Sequence, residues 1–342
     1  MSRRLAQRAG GRDAEIAGVA ADVLAEARPQ GRVLVASDHV GTVERAVWDG
    51  GAEVVAWHRF AYDGGPARAW PEDGVFDAAV LRLPRSWPAF SMKLHAIAAR
   101  LPAGAPLWIY GGNDEGITSA PKRLEGLVEE VGTVAVKRRA RVLRTVRTGE
   151  AARGDLDDWR ETVALQMPDG TAFDLVSYPG LFAHGRLDAG TACLLQVLPE
   201  VPAGGAVLDF GCGAGVIARL VRERVADAKL TLLDVDSVAL HAARINVPDA
   251  ACVLSDGWTA LDPRARFDLI LSNPPLHRGK EEDFGALDAL VRGAKERLKR
   301  GGALVAVAQR TAGIGPLFQK AFGAADLLLE TPQFQVWRGR AG

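Results

Sequence analysis

The feature that most constrains this chain is a run of alternating glycines directly after a short apolar stretch. The sequence from Val207 to Gly215 reads Val-Leu-Asp-Phe-Gly-Cys-Gly-Ala-Gly, and a helical pattern follows from Val216. Glycine adopts positive φ without strain and lets the backbone approach a ligand closely. The pattern therefore predicts a strand that turns sharply into a helix beside a binding site, although a tight turn without any ligand would use the same residues.

Short apolar runs alternate with helical patterns along all 342 residues, which is typical of parallel sheets flanked by helices. At ~100–200 residues per domain, this length indicates two domains. We therefore predict an α/β fold with two tandem Rossmann-like domains, 1–150 and 159–342, joined by a polar linker at 149–158. The predicted strands are Arg32–Ser37, Glu53–Trp57, Phe76–Leu81, Leu107–Tyr110, Ala206–Phe210, Leu230–Leu233, Phe267–Ser272 and Ala303–Ala306, with a hairpin of Glu161–Gln166 and Ala172–Ser177 around Asp169-Gly170.

The two halves resemble copies of one another, but only the second keeps the distinctive residues. The first half has Ser37, His39 and Gly41 where the second has Gly211, Gly213 and Gly215, and Arg82-Leu83-Pro84-Arg85 where the second has Asn273-Pro274-Pro275-Leu276. We expect the first domain to be a degenerate copy that has lost its binding site.

Three aspartates follow successive predicted strands of the second half. Asp209 precedes the glycines, Asp234 ends the next strand, and Asp256 follows the third. A carboxylate in these places could hold a cationic amine, both hydroxyls of a ribose, and an adenine amino group, respectively. Each acid alone is more often a solvated loop end or a helix cap, so the series is what favours an adenosyl ligand that carries an amino acid.

A second motif, Asn273-Pro274-Pro275-Leu276, ends the strand Phe267–Ser272. Ligands of open α/β sheets bind at the carboxyl ends of the strands, where this motif lies. The asparagine and a proline carbonyl can both accept hydrogen bonds from one planar amino group, and the prolines stiffen the loop without adding donors. A simple Pro-Pro turn is the alternative.

Composition excludes several classes of protein. Lys and Arg together number 42, as do Asp and Glu, so no bulk positive field attracts nucleic acid. The three cysteines lack C-x-x-C spacing, which argues against a disulfide scaffold or a structural zinc site and suits a reducing cytoplasm. No apolar run reaches the ~18 residues of a membrane span. We expect a cytoplasmic protein without metal or membrane segment.

Together these motifs resemble class I S-adenosylmethionine-dependent methyltransferases. The further runs Tyr178-Pro179-Gly180-Leu181-Phe182 and Leu187-Asp188-Ala189-Gly190-Thr191 resemble the guanine-N2 methyltransferases of small-subunit ribosomal RNA, the methyltransferase C family. The resemblance implies two methyltransferase-fold domains, the first degenerate, S-adenosylmethionine as cofactor, and ribosomal RNA within the small subunit as partner.

The resemblance also implies roles for individual residues. The methionine and ribose side of the cofactor would lie against Asp209, Gly211, Gly213 and Gly215, the ribose against Asp234 and the adenine against Asp256, and the pocket would be closed by Phe182, Leu187 and Asp188. Asn273, Pro274, Pro275 and Leu276 would form the catalytic loop. The family usually has an aromatic residue where this chain has Leu276, which forfeits base stacking of ~1–3 kcal/mol.

Several alternatives stay open at this point. The same chemistry could act on a large-subunit ribosomal RNA guanine, a DNA base or a protein glutamine. A nicotinamide-dependent oxidoreductase could use Gly213-x-Gly215-x-x-Ala218, and a non-enzymatic RNA-binding assembly factor could retain the fold. The basic run Lys137–Arg147 is either a phosphate contact or a solvated strand face. Other candidates for RNA contact are His277, Arg278, Lys280, Arg292 and Lys295.

Overall fold

The chain divides into two structural units, one ending at Arg160 and the other beginning at Glu161. The computed structural model describes residues 11–274, 277–278, 281–282 and 284–342. Pro275, Leu276 and Lys280, all singled out above, lie outside the described residues. The side chains of His277 and Arg278 are likewise not described.

Unit 1 is built around a six-stranded sheet. Its strands are β1 (Arg32–Ala36), β2 (Glu53–Trp57), β3 (Ala78–Arg82), β4 (Pro106–Gly112), β5 (Val128–Lys137) and β6 (Ala140–Arg147). Its helices are α1 (Gly11–Ala27), α2 (Thr42–Asp49) and α3 (Trp87–Ala98), with short 3-10 turns at Tyr62–Gly64, Asn113–Glu115, Ile117–Arg123 and Leu156–Trp159.

Unit 2 opens with a separate hairpin and continues into a seven-stranded sheet. Its strands are β7 (Glu161–Gln166), β8 (Ala172–Ser177), β9 (Ala206–Phe210), β10 (Lys229–Asp234), β11 (Ala251–Leu254), β12 (Phe267–Ser272), β13 (His277–Arg278), β14 (Glu281–Glu282), β15 (Leu298–Gln309), β16 (Ala325–Glu330) and β17 (Phe334–Arg340). Its helices are α4 (Ala189–Gln196), α5 (Val216–Arg224), α6 (Ser237–Asn246), α7 (Phe284–Arg297) and α8 (Ile314–Phe322), with a 3-10 turn at Arg310–Ala312.

The two sheets share one topology. Unit 2 has the order β11-β10-β9-β12-β15-β17-β16, in which β17 runs opposite to all the other strands. Unit 1 has the order β2-β1-β3-β4-β6-β5, in which the matching strand β6 is likewise reversed. Removing β11 from the larger sheet gives the smaller one, so the predicted tandem α/β fold is confirmed.

Every predicted strand has a counterpart in the structure, with boundaries that shift for physical reasons. The first strand stops at Ala36 because Ser37 has a φ of 67° and cannot continue an extended chain. The last predicted strand is much longer than its apolar centre, since β15 runs across Leu298–Gln309. Neither the β5–β6 hairpin nor the β16–β17 pair was predicted, because their partly exposed strands mix polar and apolar residues.

The segment 149–158, predicted as a linker, instead packs against unit 1. The carbonyl of Gly154 accepts a 2.6 Å hydrogen bond from Trp70 Nε1. The buried ring of Trp159 meets His95 edge to face with centroids 5.2 Å apart. The polarity of the segment predicted a linker, but a hydrogen bond from Trp70 and the ring contact of the adjoining Trp159 hold this part of the chain against unit 1.

Successive side chains of a strand point to opposite faces of the sheet, and in unit 1 both faces are covered by an apolar core. On β1, Leu34 and Ala36 join one buried apolar cluster, whereas Val33 and Val35 join another. This is the two-residue period of a strand buried on both faces. No helix in the described ranges has the length and apolarity to cross a membrane.

Candidate active site

The glycine loop of unit 2 is clamped to the end of the neighbouring strand. Gly211 and Cys212 both donate their backbone N–H to the carbonyl of Leu233, at 2.7 and 3.0 Å. The N–H of Gly213 donates to Asp234 Oδ2 at 2.8 Å. The loop is therefore held in place by the end of β10.

Two of the glycines have different physical roles, although both have positive φ. A Cβ added at Gly213 would meet no atom within 4 Å, so open space adjoins the backbone there. A Cβ at Gly215 would lie 3.3 Å from Leu232 and 3.5 Å from Ala243. Gly213 thus leaves room for a ligand, and Gly215 lets helix α5 begin close to its neighbours.

Asp209 is the most deeply buried of the three predicted acids, with 1% of its surface exposed. Its Oδ2 accepts a 3.1 Å hydrogen bond from the N–H of Ala218 in α5. Its Oδ1 is buried without a hydrogen-bond partner in the described part of the chain. Burial raises the pKa of Asp209 to about 7, and the nearby charge of Asp234 adds to the effect. An orphaned buried acceptor requires either a proton or a donor from a bound molecule.

Asp234 lies beside the loop at the end of β10, where the sequence placed it, but both of its oxygens bind the protein backbone. Oδ2 accepts from Gly213 as above, and Oδ1 accepts from the N–H of Asp236 at 2.9 Å. Burial, together with the charge of Asp236, raises the pKa of Asp234 to about 6. Its first structural role is therefore to shape the glycine loop, and the remaining lone pairs are what a ribose could use.

Asp256 follows β11, the strand that unit 1 lacks. The preceding residue, Ser255, donates its N–H to the carbonyl of Asp234 at 2.9 Å, which ties this loop to the end of β10. The side chain of Asp256 is half-buried. The structure thus brings the three aspartates to one edge of the sheet, in the order expected from their positions in the chain.

Asn273 lies at the same edge, one strand away from the glycine loop. The hydroxyl of Ser272 donates to the carbonyl of Phe210 at 2.8 Å, which joins the ends of β12 and β9. The Nδ2 of Asn273 donates to Asp188 Oδ2 at 2.8 Å and to Thr191 Oγ1 at 2.9 Å. Since both Nδ2 hydrogens are used in this way, Oδ1 is the atom that remains to accept a hydrogen bond from a substrate.

One cavity is lined by residues of the glycine loop, of the segment 182–191 and by Asn273. Its walls include Phe182, Leu187, Asp188, Gly211, Gly213 and Asn273, together with Thr191, Val216 and Ile217. Four residues of the β7–β8 hairpin, Val163, Leu165, Leu175 and Ser177, also line the cavity. Asp209, Asp234 and Asp256 are not among the lining residues, so they lie behind or beside this cavity.

Phe182 is the most exposed aromatic side chain at the site, with 71% of its surface accessible. A large apolar ring left in solvent beside a cavity is what a ligand would cover. The preceding Tyr178 and Leu181 are buried and anchor the loop that carries it.

Two positioning residues were missed by the sequence reasoning. Thr191 was given no role of its own within Leu187–Thr191, yet it is one of the two acceptors for Asn273. Asn246 was not noticed: it donates to the carbonyls of Val176 and Ala214 and accepts from the N–H of Val176, which joins the hairpin to the glycine loop. A buried asparagine on an otherwise apolar helix face is the signal that could have revealed it.

Other residues weighed from sequence have local structural roles. Burial raises the pKa of the Cys212 thiol well above its usual range, which disfavours a nucleophilic thiolate. Among the suggested RNA contacts, Arg292 pairs with Asp288 one turn earlier on α7. Lys295 donates to the carbonyl of Ala321 at 2.5 Å.

The matching position in unit 1 is occupied by protein side chains. Val35 stands where Asp209 stands in unit 2, and the buried carboxylate of Asp38 accepts from the N–H of Glu44 near the start of α2 instead. Ser37, at the place of Gly211, accepts a hydrogen bond from the buried Lys93. The Nζ of Lys93 also lies 5.3 Å from the centre of the Trp57 ring.

S-adenosylmethionine-dependent methyltransferases are built on a parallel sheet with one reversed strand next to its edge and a glycine loop that lines a cavity, and this chain is of that class. Residues 172–338 match the family model "Methyltransferase small domain" and residues 65–163 match "Methyltransferase small domain N-terminal".

Curated relatives identify the methyltransferase family more closely. The chain is 36% identical over 276 residues to the ribosomal RNA small subunit methyltransferase C of Stutzerimonas stutzeri, which covers 80% of this chain and 81% of that protein. It is 33% identical over 324 residues to the protein of the same name from Pseudomonas putida KT2440, with 92% and 96% covered. The chain belongs to this methyltransferase family.

A solved structure supports the fold. The T. thermophilus 16S rRNA N2 G1207 methyltransferase, in complex with AdoMet and guanosine, superposes with a TM-score of 0.83 at 24% sequence identity. The alignment covers 96% of this chain and 92% of that one.

Proposed function

We propose that this enzyme transfers the methyl group of S-adenosylmethionine to the exocyclic N2 amino group of a guanosine in small-subunit ribosomal RNA. The observation that carries the proposal is the fixed amide of Asn273 in the cavity that the glycine loop lines. An amide whose hydrogens are both committed presents only an acceptor, and an exocyclic amino group is a donor. The names of the curated relatives and the guanosine-bound structure point to the same substrate.

Within this proposal, residues of unit 2 hold the cofactor. Asp209 Oδ1, buried and without a partner in the described residues, would accept from the ammonium group of its methionine part. The open space at Gly213 would admit the part of the cofactor that lies against the backbone of the glycine loop. Asp234 would face its ribose and Asp256 its adenine. Phe182 and Leu187 would close the pocket. When bound, the cofactor supplies an electrophilic methyl group on a sulfonium.

The chemical step then requires mainly that the amino group is aligned with the methyl group of the cofactor. Asn273 Oδ1 and the carbonyl of the buried Pro274 would each accept one hydrogen of the amino group, which turns the nitrogen lone pair toward the methyl group. Exclusion of water from the cavity strengthens these hydrogen bonds. A base in a helix must leave its stack to reach such a cavity.

We further propose that the true substrate is RNA within an assembled small subunit and that unit 1 binds no cofactor. With equal numbers of acidic and basic residues, the enzyme has little general attraction for free RNA. In unit 1 the Lys93 ammonium at Ser37 would oppose a sulfonium ligand.

The test is methyl transfer to three unmodified substrates: 16S transcript alone, 16S transcript reconstituted into small subunits, and 23S transcript. We expect N2-methylguanosine in 16S rRNA, located by mass mapping, and faster transfer to the reconstituted particle. Replacement of the mapped guanosine by inosine, which lacks the 2-amino group, should abolish transfer. Methylation of 23S RNA alone, or of inosine-substituted RNA, would contradict the proposal. Equal rates on free and assembled 16S RNA would contradict only its particle requirement.

A further inference from the structure

The turn of the β5–β6 hairpin in unit 1 consists of two arginines in an unfavourable backbone conformation. Lys137 pairs with Ala140, so the loop contains only Arg138 and Arg139. Their φ angles are 49° and 57°. Two-residue turns with positive φ at both positions strongly prefer Asn-Gly, because side chains with a Cβ are strained there.

Other parts of unit 1 hold this turn in place. The guanidinium of Arg12, in the first turn of α1, donates to the carbonyl of Arg138 at 2.6 Å and to that of Arg139 at 2.8 Å. The N–H of Asn113 also donates to the Arg139 carbonyl at 2.8 Å. The backbone of the turn is therefore fixed, while both arginine side chains are exposed.

The structure distinguishes this pair from Arg147 and Lys137 of the basic run. Arg147 is buried and donates to three backbone carbonyls, so its role is structural. Lys137 lies 3.5 Å from Asp22, and the nearby Asp114 already pairs with Arg12 at 3.1 Å. Within the described residues, no carboxylate lies within 4.0 Å of the guanidinium of Arg138 or Arg139.

We propose that Arg138 and Arg139 form a docking site for the phosphate backbone of the RNA substrate. The inference rests on the proposed function, since it takes that RNA as the ligand. A guanidinium matches two phosphate oxygens in a planar fork, and a fixed turn presents two such forks with little loss of backbone freedom. Strained residues that the surrounding structure holds in place are typical of functional sites rather than of stabilising ones.

The decisive variant is the double substitution R138N/R139G, because it removes both cations and also gives the turn its preferred sequence. The matched control is R28G. Arg28 is also an exposed arginine with positive φ (44°), and it follows α1. Both variants should melt no lower than the wild type. A lower melting temperature in the double variant would show that the arginines stabilise the fold and would overturn the proposal.

Binding to labelled 16S rRNA transcript is then measured from about 50 to about 200 mM KCl. We expect the double variant to bind about tenfold more weakly, with a plot of log affinity against log salt that is shallower by about 1–2. R28G should match the wild type. An unchanged salt slope in the double variant, or an equal loss in R28G, would overturn the proposal.

Methyl transfer to the same RNA by the wild type distinguishes this inference from the proposed function. If the wild type methylates the RNA and the double variant keeps its salt slope, the arginine site alone is wrong. If the wild type neither binds nor methylates 16S rRNA, whether as free transcript or in reconstituted small subunits, both proposals fail. If the site is right, the double variant should need more RNA for half-maximal rate and reach the wild-type rate at saturation.

Discussion

Asn273 Nδ2 donates a 2.8 Å hydrogen bond to Asp188 Oδ2, across a separation of 85 residues in the sequence. The same Asp188 oxygen accepts the N–H of Thr191 at 2.8 Å as the N-cap of helix α4. One carboxylate atom therefore begins a helix and sets the orientation of the proposed catalytic amide. Because a carboxylate only accepts, it fixes which end of the Asn273 amide faces it.

The first prediction separates these two roles through Asp188→Asn. Asparagine caps helices as well as aspartate does, so the free energy of unfolding should change by less than about 1 kcal/mol. Its own amide can face Asn273 with either end, so the orientation of Asn273 is no longer enforced. We expect a fall of about tenfold or more in the rate at saturating RNA and cofactor, with cofactor affinity within about threefold of wild type.

Thr191→Ser is the control for Asp188→Asn, since it keeps the hydroxyl that accepts from Asn273. It should leave the saturated rate nearly unchanged. Asn273→Ala should lower that rate further than Asp188→Asn. A fully active Asn273→Ala enzyme would remove the amide from the mechanism.

The second prediction compares Gly213→Ala with Gly215→Ala. Both place a Cβ at positive φ, at a cost of about 1–2 kcal/mol. The added methyl at residue 213 enters open space, so the main effect should be a loss of S-adenosylmethionine affinity of at least about tenfold, read by calorimetry. At residue 215 it presses on Leu232 and Ala243, so the melting temperature should fall further. Equal effects of both substitutions on stability and affinity would contradict this division.

The third prediction concerns Phe182, whose ring is mostly exposed in the absence of ligand. Phe182→Ala should change the free energy of unfolding by no more than about 0.5 kcal/mol, because little packing is lost. Cofactor affinity should fall by about fivefold or more if the ring covers the pocket. Phe182→Leu, which keeps an apolar cover, should restore most of it. Unchanged affinity in Phe182→Ala would place the ring outside the cofactor pocket.

The fourth prediction is a pH dependence of the unliganded enzyme. Folding raises the pKa of Asp209 to about 7 from its ordinary value near 4. Between these values the folded chain binds a proton that the unfolded chain lacks, so this group lowers the free energy of unfolding as pH rises. The contribution of Asp209 between about pH 5 and about pH 8 is on the order of 3 kcal/mol.

Asp209→Asn isolates this contribution, because asparagine cannot titrate and its oxygen can still accept from Ala218. Denaturant unfolding of both proteins across this pH range should show a steeper loss of stability in the wild type. Cofactor affinity of the wild type should weaken below about pH 7, where protonation removes the charge that attracts an ammonium group. Parallel stability profiles in the two proteins would mean that Asp209 is already ionised at low pH.

The sequence predicted the succession of strands and helices along the chain where local signals determine it. The apolar run Val207-Leu208 and the glycines after it predict a strand, a turn and a helix without any knowledge of neighbours. The same holds for the Asp169-Gly170 hairpin. Polarity alone could not show that Trp70 and Trp159 hold the segment 149–158 against unit 1.

What the sequence determined by itself is the class of fold, the duplication and the types of residue at the site, since these follow from periodicity and from residues with special backbone or hydrogen-bonding properties. Only the tertiary structure decided which hydrogen-bond partners each of those residues has. It committed Asp234 to the glycine loop, left one oxygen of Asp209 without a partner in the described chain, and joined Asn273 to Asp188. Such assignments depend on hydrogen bonds between residues far apart in the chain, whose partners are chosen by packing and carry no local signature.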